Sequence, residues 1–307
     1  MPCCKILITL FSLFLLFFVI IFIYLYTNNF RIKYFDLKML FLGRKKPEEV
    51  GKYYDEWLER YKEVYGDTIQ SYRTENIEQL HQYIIKSAGL KDGMRILDAG
   101  CGTCGPAIYF AQNLDIHIEA ITISEKQVQE AQKKINDYGL QDKINVISGD
   151  YHTLDKKYAE NHFDAVFFLE SYGHAQNHEK LLKAASKVVK TGGYIYIKDY
   201  FKKDMPKDLF QKQLVKMGIK NMDSVYRYNT PDLYHTIYIM RHLNFELRWL
   251  KVPELPDWDN NKVIQEFHIK NDIELYNKKD ALYDQNNGRF IVDPYEMAFY
   301  KNGINQD

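Results

Sequence analysis

The sequence has few cysteines, and this scarcity excludes a small fold held together by disulfide bonds. Four cysteines are spread over 307 residues, whereas disulfide scaffolds carry them densely. The chain also lacks an excess of either charge, with 41 basic and 41 acidic side chains, so its balance does not favour general binding to nucleic acids. Internal repeats of a solenoid period are absent as well. A chain of this length without those features is expected to form one large domain with accessory segments.

Cys101 and Cys104 form a C-x-x-C pair, but the sequence lacks the second ligand pair of a zinc site and the thioredoxin-like setting of a redox site. Both cysteines lie inside a glycine-rich turn, which better explains their spacing, and we predict no metal site. Cys3 and Cys4 border an apolar segment and are candidates for S-acylation.

Charged residues are missing from residues 6–26, a run long enough to cross a bilayer as a helix. A cleaved signal peptide has a shorter apolar core, of about 7–15 residues, followed by a small-residue cleavage site, and the sequence offers no such site. We therefore predict an uncleaved transmembrane anchor within residues 1–27. Lysine and arginine are concentrated after the run, between residues 31 and 46, and the positive-inside rule then predicts a single-pass membrane protein whose catalytic domain faces the cytosol.

A basic linker at residues 28–50 follows the predicted anchor, and a helical N-terminal cap is predicted at residues 51–90. From residue 94 onward, strand patterns alternate with helix patterns. The predicted strands are 94–99, 116–123, 143–148, 163–169, 194–199, 244–252 and 289–301. The predicted helices are 74–89, 106–113, 125–138, 178–190 and 231–243. This alternation predicts an α/β fold at residues 91–307 with a parallel sheet covered by helices, and the polar residues 253–287 are predicted to be an insertion.

Residues 96–111 carry the most informative pattern, ILDAGCGTCGPAIYFA. An apolar strand reaches Asp98, glycines follow at positions 100, 102 and 105, and Pro106 opens a helix. Glycines let the backbone turn sharply and let a ligand approach closely. The helix start offers unpaired N–H groups to an anionic or polar ligand. The pattern predicts a nucleotide-like ligand.

The three glycines match the dinucleotide pattern G-x-G-x-x-G, but two features argue against a nicotinamide cofactor. The acidic residue expected about 20 residues further on, at the end of the second strand, is missing. Asp98 lies two residues before the first glycine, where a carboxylate would repel a pyrophosphate. A carboxylate there suits S-adenosyl-L-methionine (SAM), which carries an ammonium and a sulfonium and has no phosphate.

This stretch closely resembles the first motif of class I SAM-dependent methyltransferases, nearest the branch of sterol C-methyltransferases and cyclopropane-fatty-acid synthases. Two further segments agree: ITISEKQVQEAQ at 121–132 resembles the turn after the second strand, and FDAVFFLESYGHA at 163–175 resembles the fourth-strand segment. The resemblance covers residues 50–200. It implies a Rossmann-like sheet, mostly parallel with an antiparallel last strand, an N-terminal helical lid, and SAM as the cofactor.

Cofactor contacts are predicted in four segments. Ser124 and Gln127 also fit a capping box at a helix start, a role compatible with SAM contact. Asp150 and Tyr151 match positions that contact adenine in the family, although turn chemistry also explains Asp150. Tyr72 matches the loop that closes over SAM in cyclopropane synthases. The predicted cofactor-binding residues are Asp98, Gly100, Cys101 (through its backbone), Gly102, Gly105, Thr122, Ser124, Gln127, Asp150, Tyr151 and Tyr72.

Glu170, Tyr172 and His174 follow the fourth strand, where open α/β sheets bind ligands, and they are the predicted catalytic residues. Glu170 and His174 match the sterol-like branch and are assigned to acceptor positioning or proton removal. The resemblance places an acid immediately before this histidine in cyclopropane synthases, where this chain has Gly173, which argues against cyclopropanation. Asp199 and Tyr200, after the fifth strand, either border the acceptor pocket or form a solvated strand end.

The predicted function is SAM-dependent methyl transfer to a small lipophilic acceptor, such as a sterol, a prenyl lipid or a fatty-acid-like molecule, on carbon or oxygen. The predicted anchor favours a lipophilic acceptor. Two alternatives remain open: methylation of a small soluble amine or hydroxyl compound, and a membrane-tethered protein that binds SAM without catalysis. A nicotinamide oxidoreductase is a third alternative.

Overall fold

The computed structural model describes residue 12 and residues 14–19, 43–74, 76–255 and 291–303. The chain divides into two units, Met1–Gly43 and Arg44–Asp307. In the first unit, residues 14–19 are helical with exposed side chains, and the rings of Phe14 and Phe18 contact each other with centroids 4.8 Å apart. The second unit holds the sheet and the site.

The predicted membrane anchor is contradicted. Within the described residues there is no helix long and apolar enough to cross a bilayer. This finding overturns the prediction of a single-pass membrane protein with its catalytic domain facing the cytosol. Most of the apolar run at 6–26, and linker residues 28–42, lie outside the described residues.

Seven strands form one sheet in the order β3-β2-β1-β4-β5-β7-β6. The strands are β1 (Arg95–Ala99), β2 (His117–Thr122), β3 (Ile144–Ser148), β4 (Phe163–Leu169), β5 (Val189–Lys202), β6 (Phe245–Lys251) and β7 (Val292–Lys301). β1 to β5 pair in parallel, and β7 runs antiparallel to both β5 and β6. The predicted Rossmann-like sheet, mostly parallel with an antiparallel last strand, is confirmed.

Eight helices of the described residues in the second unit cover this sheet. They are α1 (Pro47–Tyr65), α2 (Ile77–Ala88), α3 (Gly105–Asn113), α4 (Glu125–Asp137), α5 (Leu154–Lys157), α6 (His178–Val188), α7 (Leu209–Tyr226) and α8 (Leu233–His242). Successive side chains of a strand point to opposite faces. Ile96 of β1 accordingly lies in a core cluster with α2, α3 and α4, whereas Leu97 lies in a second cluster with α5, α6 and α8.

Two elements differ from the sequence-based expectation. Helix α7 was not predicted, although Val215, Ile219 and Met222 recur at helical spacing and are buried. Strand β5 begins at Val189 and continues through the Gly-Gly pair at 192–193, where the sequence indicated a break between helix and strand. Of the predicted insertion at 253–287, residues 256–287 lie outside the described residues.

The carboxyl ends of the five parallel strands meet at one edge of the sheet. The chain order reverses beside β1, which pairs with β2 on one side and β4 on the other. Ligands of open α/β sheets bind in the crevice that such a reversal creates. The fold therefore brings together the turns that follow β1, β2, β3 and β4.

Candidate active site

A cleft lies at this edge of the sheet. The turns after β1 to β4 form its floor, and α1 with the loop at residue 69 covers it. The predicted site residues that line it are Gly100, Gly102, Thr122, Gln127, Asp150, Tyr151, Glu170 and His174. Those not among its lining residues are Asp98, Cys101, Gly105, Ser124, Tyr72 and Tyr172.

The glycines of the first turn have different roles. Gly100 has φ +95°, and a Cβ on it would lie 2.4 Å from Cβ of Ser171, so this glycine lets the turns after β1 and β4 pack together. Gly102 has φ +56°, and a Cβ on it would meet no atom within 4 Å, so it borders open space in the cleft. A Cβ on Gly105 would lie 2.3 Å from the carbonyl oxygen of Asp67. Gly105 therefore admits the N-terminal loop rather than a ligand.

Asp98 is buried behind this turn, and burial raises its pKa to about 7. Cys101 and Cys104 are buried free thiols, and burial raises the pKa of the Cys101 thiol well above its usual range. Across the described ranges, no group of His, Cys, Asp and Glu side chains is arranged to hold a metal ion.

The turn after β2 joins the cofactor turn to α1. Ser124 caps α4 by accepting a hydrogen bond from the backbone N–H of Gln127 at 3.1 Å. Its hydroxyl also donates to Oδ1 of Asp55 at 2.5 Å. The Gln127 side chain does not complete the predicted capping box, because its Oε1 accepts from the Thr122 hydroxyl at 2.6 Å. Thr122 and Gln127 thus form one polar wall of the cleft.

Asp150 and Tyr151 form the wall that follows β3. Asp150 Oδ1 accepts hydrogen bonds from the backbone N–H and Nδ1 of His152, at 2.9 and 2.6 Å. Burial by itself raises the pKa of Asp150, but these bonds lower it overall, so the carboxylate stays ionised. The Tyr151 hydroxyl donates to the carbonyl oxygen of Ser171 at 3.0 Å, which fixes its ring against the cleft.

Helix α1 closes the cleft. The sequence predicted a linker as far as residue 50, so the first turn of this helix was missed. It begins at Pro47, and its acidic first turn with a proline is a recognised helix start. Pro47, Val50 and Tyr54 line the cleft. Asp55 fastens the helix through Ser124, and a Cβ on Gly51 would lie 3.0 Å from the carbonyl oxygen of Ile123, so helix and turn are in close contact.

His174 and Tyr54 form a hydrogen-bonded pair inside the cleft. The Nε2 atom of His174 lies 2.9 Å from the Tyr54 hydroxyl, and its Nδ1 lies 3.1 Å from the carbonyl oxygen of Arg227. A carbonyl only accepts, so Nδ1 carries the hydrogen and Nε2 accepts from Tyr54. Burial lowers the pKa of His174 to about 4 and raises that of Tyr54 well above its usual range. Both groups are neutral near pH 7.

Glu170 reaches the cleft but is fully engaged by hydrogen bonds. Its carboxylate accepts from the backbone N–H groups of Ser71 and Tyr72, at 2.7 and 3.1 Å, and from Nζ of Lys198 at 2.7 Å. Lys198 also donates to the side chain of Gln70 and the carbonyl of Tyr72. Sequence reasoning missed Lys198, whose signal was a lysine within the apolar strand β5.

The predicted catalytic Tyr172 lies in the core. It is fully buried, its hydroxyl is 3.0 Å from the hydroxyl of Thr236, and its ring packs against Phe168. Tyr72 is likewise buried, and its hydroxyl donates to the carbonyl of Pro253. The structure thus brings Glu170 and His174 to the cleft, and Tyr172 to the packing beneath it.

The family model of mycolic acid cyclopropane synthetase matches residues 55–226. The chain belongs to this family. Over 150 residues it is 28% identical to sterol 24-C-methyltransferase erg6 of Aspergillus fumigatus, covering 48% of this chain and 39% of that protein. Over 167 residues it is 29% identical to 27-O-demethylrifamycin SV methyltransferase of Amycolatopsis mediterranei, covering 52% and 61%. The chain therefore spans less than two thirds of either relative.

Solved structures share the fold. The [4+2]-cyclase SpnF superposes with a TM-score of 0.67 at 19% identity, covering 85% of this chain and 98% of SpnF. Geranyl diphosphate C-methyltransferase of Streptomyces coelicolor A3(2), solved with S-adenosyl-L-homocysteine, gives 0.62 at 13% identity, covering 83% and 97%. The family match confirms the predicted resemblance to class I SAM-dependent methyltransferases of the sterol C-methyltransferase and cyclopropane-fatty-acid-synthase-like branch, whose cofactor is SAM.

The residues of the cleft fit SAM. Gly102 leaves open space against the backbone, and the polar side chains around it are hydroxyl, amide, imidazole and carboxyl groups. Neither lysine nor arginine is present among the described residues that line the cleft. A dinucleotide would need cations or several backbone donors for its pyrophosphate, whereas carboxyl groups suit the ammonium and sulfonium of SAM.

Proposed function

We propose that this chain transfers a methyl group from SAM to a small lipophilic acceptor, on carbon or oxygen, with a sterol, prenyl or fatty-acid-like molecule as the acceptor class. The observation that carries the proposal is the neutral His174–Tyr54 pair, placed in the same cleft as the glycine turn of the cofactor motif. The names of the relatives support it, since they act on a sterol and on a demethylated rifamycin.

The glycines and polar residues of the cleft are assigned to the cofactor. Gly100, Gly102, Thr122, Gln127 and Asp150 line the cleft together with Tyr151. When bound, SAM supplies a methyl group on a sulfonium that is already a good leaving group. The protein then has to hold the acceptor atom in line with that methyl group and keep water away.

The apolar residues of the cleft are assigned to the acceptor. Val50, Ile69 and Leu169 line the same cleft as the His174–Tyr54 pair. Apolar walls favour a lipophilic acceptor because they gain free energy when water leaves them. The described lining has no lysine or arginine to neutralise a phosphate, so a neutral acceptor fits better than a phosphorylated one.

The His174–Tyr54 pair is assigned to proton removal. An acceptor that has gained a methyl group as an oxonium or a carbocation is strongly acidic, so a weak base is sufficient. The Tyr54 hydroxyl takes the proton from the acceptor and passes its own proton to Nε2 of His174, which is unprotonated near pH 7. Because Nδ1 already carries a hydrogen, the imidazole becomes a cation until the proton leaves to solvent.

The test measures S-adenosylhomocysteine formation with a panel of acceptors: a sterol, a prenyl alcohol, an unsaturated fatty acid, and phosphoethanolamine as a charged contrast. We expect turnover with a neutral lipophilic member. Tyr54→Phe and His174→Ala should lower kcat by roughly a hundredfold, the usual contribution of general acid–base catalysis. Tyr194→Phe is the matched control, because Tyr194 is buried outside the cleft.

Two results would contradict the proposal. Turnover with phosphoethanolamine alone would favour the soluble-amine alternative. SAM binding without S-adenosylhomocysteine from any acceptor would favour a SAM-binding protein that does not transfer methyl groups. SpnF, which shares the fold, is named as a [4+2]-cyclase rather than as a methyltransferase.

A further inference from the structure

Behind His174 lies a buried carboxylate that the proposed reaction does not use. Asp199 follows the apolar part of β5 and is almost completely buried. Its Oδ2 accepts from the backbone N–H of Gly173 at 3.0 Å, and its Oδ1 accepts from the backbone N–H of Tyr200 at 2.7 Å and from the hydroxyl of Tyr228. The sequence alternative of a solvated strand end is therefore wrong. Asp199 instead anchors the turn that carries His174.

Tyr228 connects this carboxylate to the imidazole. Its ring meets His174 edge to face, with centroids 4.4 Å apart and planes at 76°. The same ring fills the space beside Gly173, where a Cβ would lie 2.0 Å from Cε1 of Tyr228. The residue after Gly173 is His174, and the residue before Tyr228 is Arg227, whose carbonyl accepts from Nδ1 of His174. Tyr228 thus packs against the turn that carries His174, and it directly follows the residue whose carbonyl accepts from the imidazole.

We propose that Tyr228, held by Asp199, is a positioning residue that fixes the ring and the tautomer of His174 for proton removal. This inference rests on the proposed function, because it assigns a role in the same reaction. The Asp199–Tyr228 hydrogen bond fixes the Tyr228 ring, the ring holds the imidazole, and the imidazole presents Nε2 to Tyr54. Gly173 is required because any side chain at that position would displace the ring.

The chain provides a matched control for ordinary packing. Tyr196 is also fully buried on β5, and its hydroxyl donates to the buried carboxylate of Glu296 at 2.6 Å. Tyr228→Phe and Tyr196→Phe therefore each remove one tyrosine–carboxylate hydrogen bond. Of these two tyrosines, only Tyr228 contacts His174. The two variants should therefore lose a similar amount of stability, but only Tyr228→Phe should lower the catalytic rate.

The experiment combines kinetics with ¹⁵N NMR of histidine-labelled protein, in which His174→Gln assigns the His174 signals. We expect Tyr228→Phe and Asp199→Asn each to lower kcat by roughly tenfold or more, the scale expected of a misplaced catalytic group. KM for SAM should stay unchanged. The double variant should be no slower than the slower single variant, because both substitutions break one contact. His174 should lose its single Nδ1–H tautomer in these variants and keep it in Tyr196→Phe.

The inference is overturned if Tyr228→Phe and Asp199→Asn match Tyr196→Phe in both kcat and His174 signals. If Tyr228→Phe does not fold, Asp199→Asn with the same measurements decides. If the unmodified protein forms no S-adenosylhomocysteine with any acceptor, the proposed function fails. The His174 tautomer in the folded variants then decides the positioning role on its own.

Discussion

Glu170 and Lys198 form an ion pair of 2.7 Å in which the side chains are only 6% and 1% exposed. The pair joins the end of β4 and the interior of its neighbour β5 to the loop at residues 70–72 through five further hydrogen bonds. Because this loop adjoins Ile69 at the cleft, the ion pair holds the N-terminal cover in place. Its role is better described as structural support than as proton removal.

Glu170→Gln is expected to destabilise the protein by about 3 kcal/mol or more, because it leaves the buried charge of Lys198 without an opposite charge beside it. Urea unfolding measures the loss, and calorimetry should show weaker SAM binding because the cover loosens. The double variant Glu170→Gln with Lys198→Met removes both charges and should regain part of the stability. An unfolding midpoint of Glu170→Gln equal to that of the unmodified protein would contradict this account.

SAM affinity should rise as the pH increases through about 7. Burial raises the pKa of Asp98 to about 7, so the free protein holds this carboxyl largely protonated at pH 6. Asp98 lies behind the glycine turn rather than in the lining of the cleft, so a cationic ligand would favour its carboxylate across that turn. Binding at lower pH then requires loss of a proton, and the affinity should weaken by at most about tenfold per pH unit below the pKa. Calorimetry at pH 6, 7 and 8 provides the measurement.

The control for this pH dependence is Asp98→Asn, which should bind SAM more weakly at pH 8 and with a flatter profile. Asp199→Asn serves as a second control, since burial also raises the pKa of Asp199 to about 7. A profile that Asp199→Asn flattens and Asp98→Asn leaves unchanged would refute the assignment of Asp98 to the cofactor.

Gly105→Ala and Gly102→Ala should affect different properties. The added Cβ at 105 would collide with the backbone of Asp67, and overpacking of this kind costs about 1–3 kcal/mol. At 102 the space is open, so only the left-handed backbone is penalised, by about 1–2 kcal/mol, while the new methyl group enters the space given to SAM. Gly105→Ala should therefore lose more stability, and Gly102→Ala should lose more SAM affinity. If Gly102→Ala lost more stability and Gly105→Ala lost more SAM affinity, the roles assigned to the two glycines would be wrong.

Tyr172→Phe should leave kcat unchanged and lower the free energy of unfolding by about 1 kcal/mol, the typical net contribution of one hydrogen bond. The reason is that its hydroxyl bonds to Thr236 in the core rather than facing the cleft. Thermal unfolding and steady-state kinetics on the same preparation provide both numbers. A fall in kcat without a change in the free energy of unfolding would show that Tyr172 takes part in catalysis.

Much of the sheet could be read from the sequence because its strands are locally distinctive. FDAVFFL was expected as a strand at 163–169 and forms β4 at Phe163–Leu169. Strand β5 was harder, because it pairs with β7 over nine residues, from Tyr194 to Lys202. That partner lies about a hundred residues further along the chain, so nothing local indicates how far the strand extends.

The candidate site was readable only in part for the same reason. The motifs after β1, β2 and β3 are each contiguous in the sequence, and part of each lines the cleft: Gly100 and Gly102, Thr122 and Gln127, and Asp150 and Tyr151. The Tyr54–His174 pair joins residues 120 positions apart, and Lys198 meets a loop 126 positions earlier. Contacts of that separation leave no periodic pattern in the sequence. Tyr172 is the opposite case: it belongs to a contiguous motif and was predicted to be catalytic, but its side chain lies in the core and not in the cleft.

The Ser124 hydroxyl serves two elements at once, since it caps α4 and donates to Asp55 of α1. A chimera that joins the N-terminal segment of one family member to the sheet of another would separate these two roles. Unless the grafted helix carries an acid at position 55, the Ser124 hydroxyl that caps α4 would lose its hydrogen-bond acceptor on α1. Exchanging the turn after β2 together with the N-terminal segment would keep this contact in such a chimera.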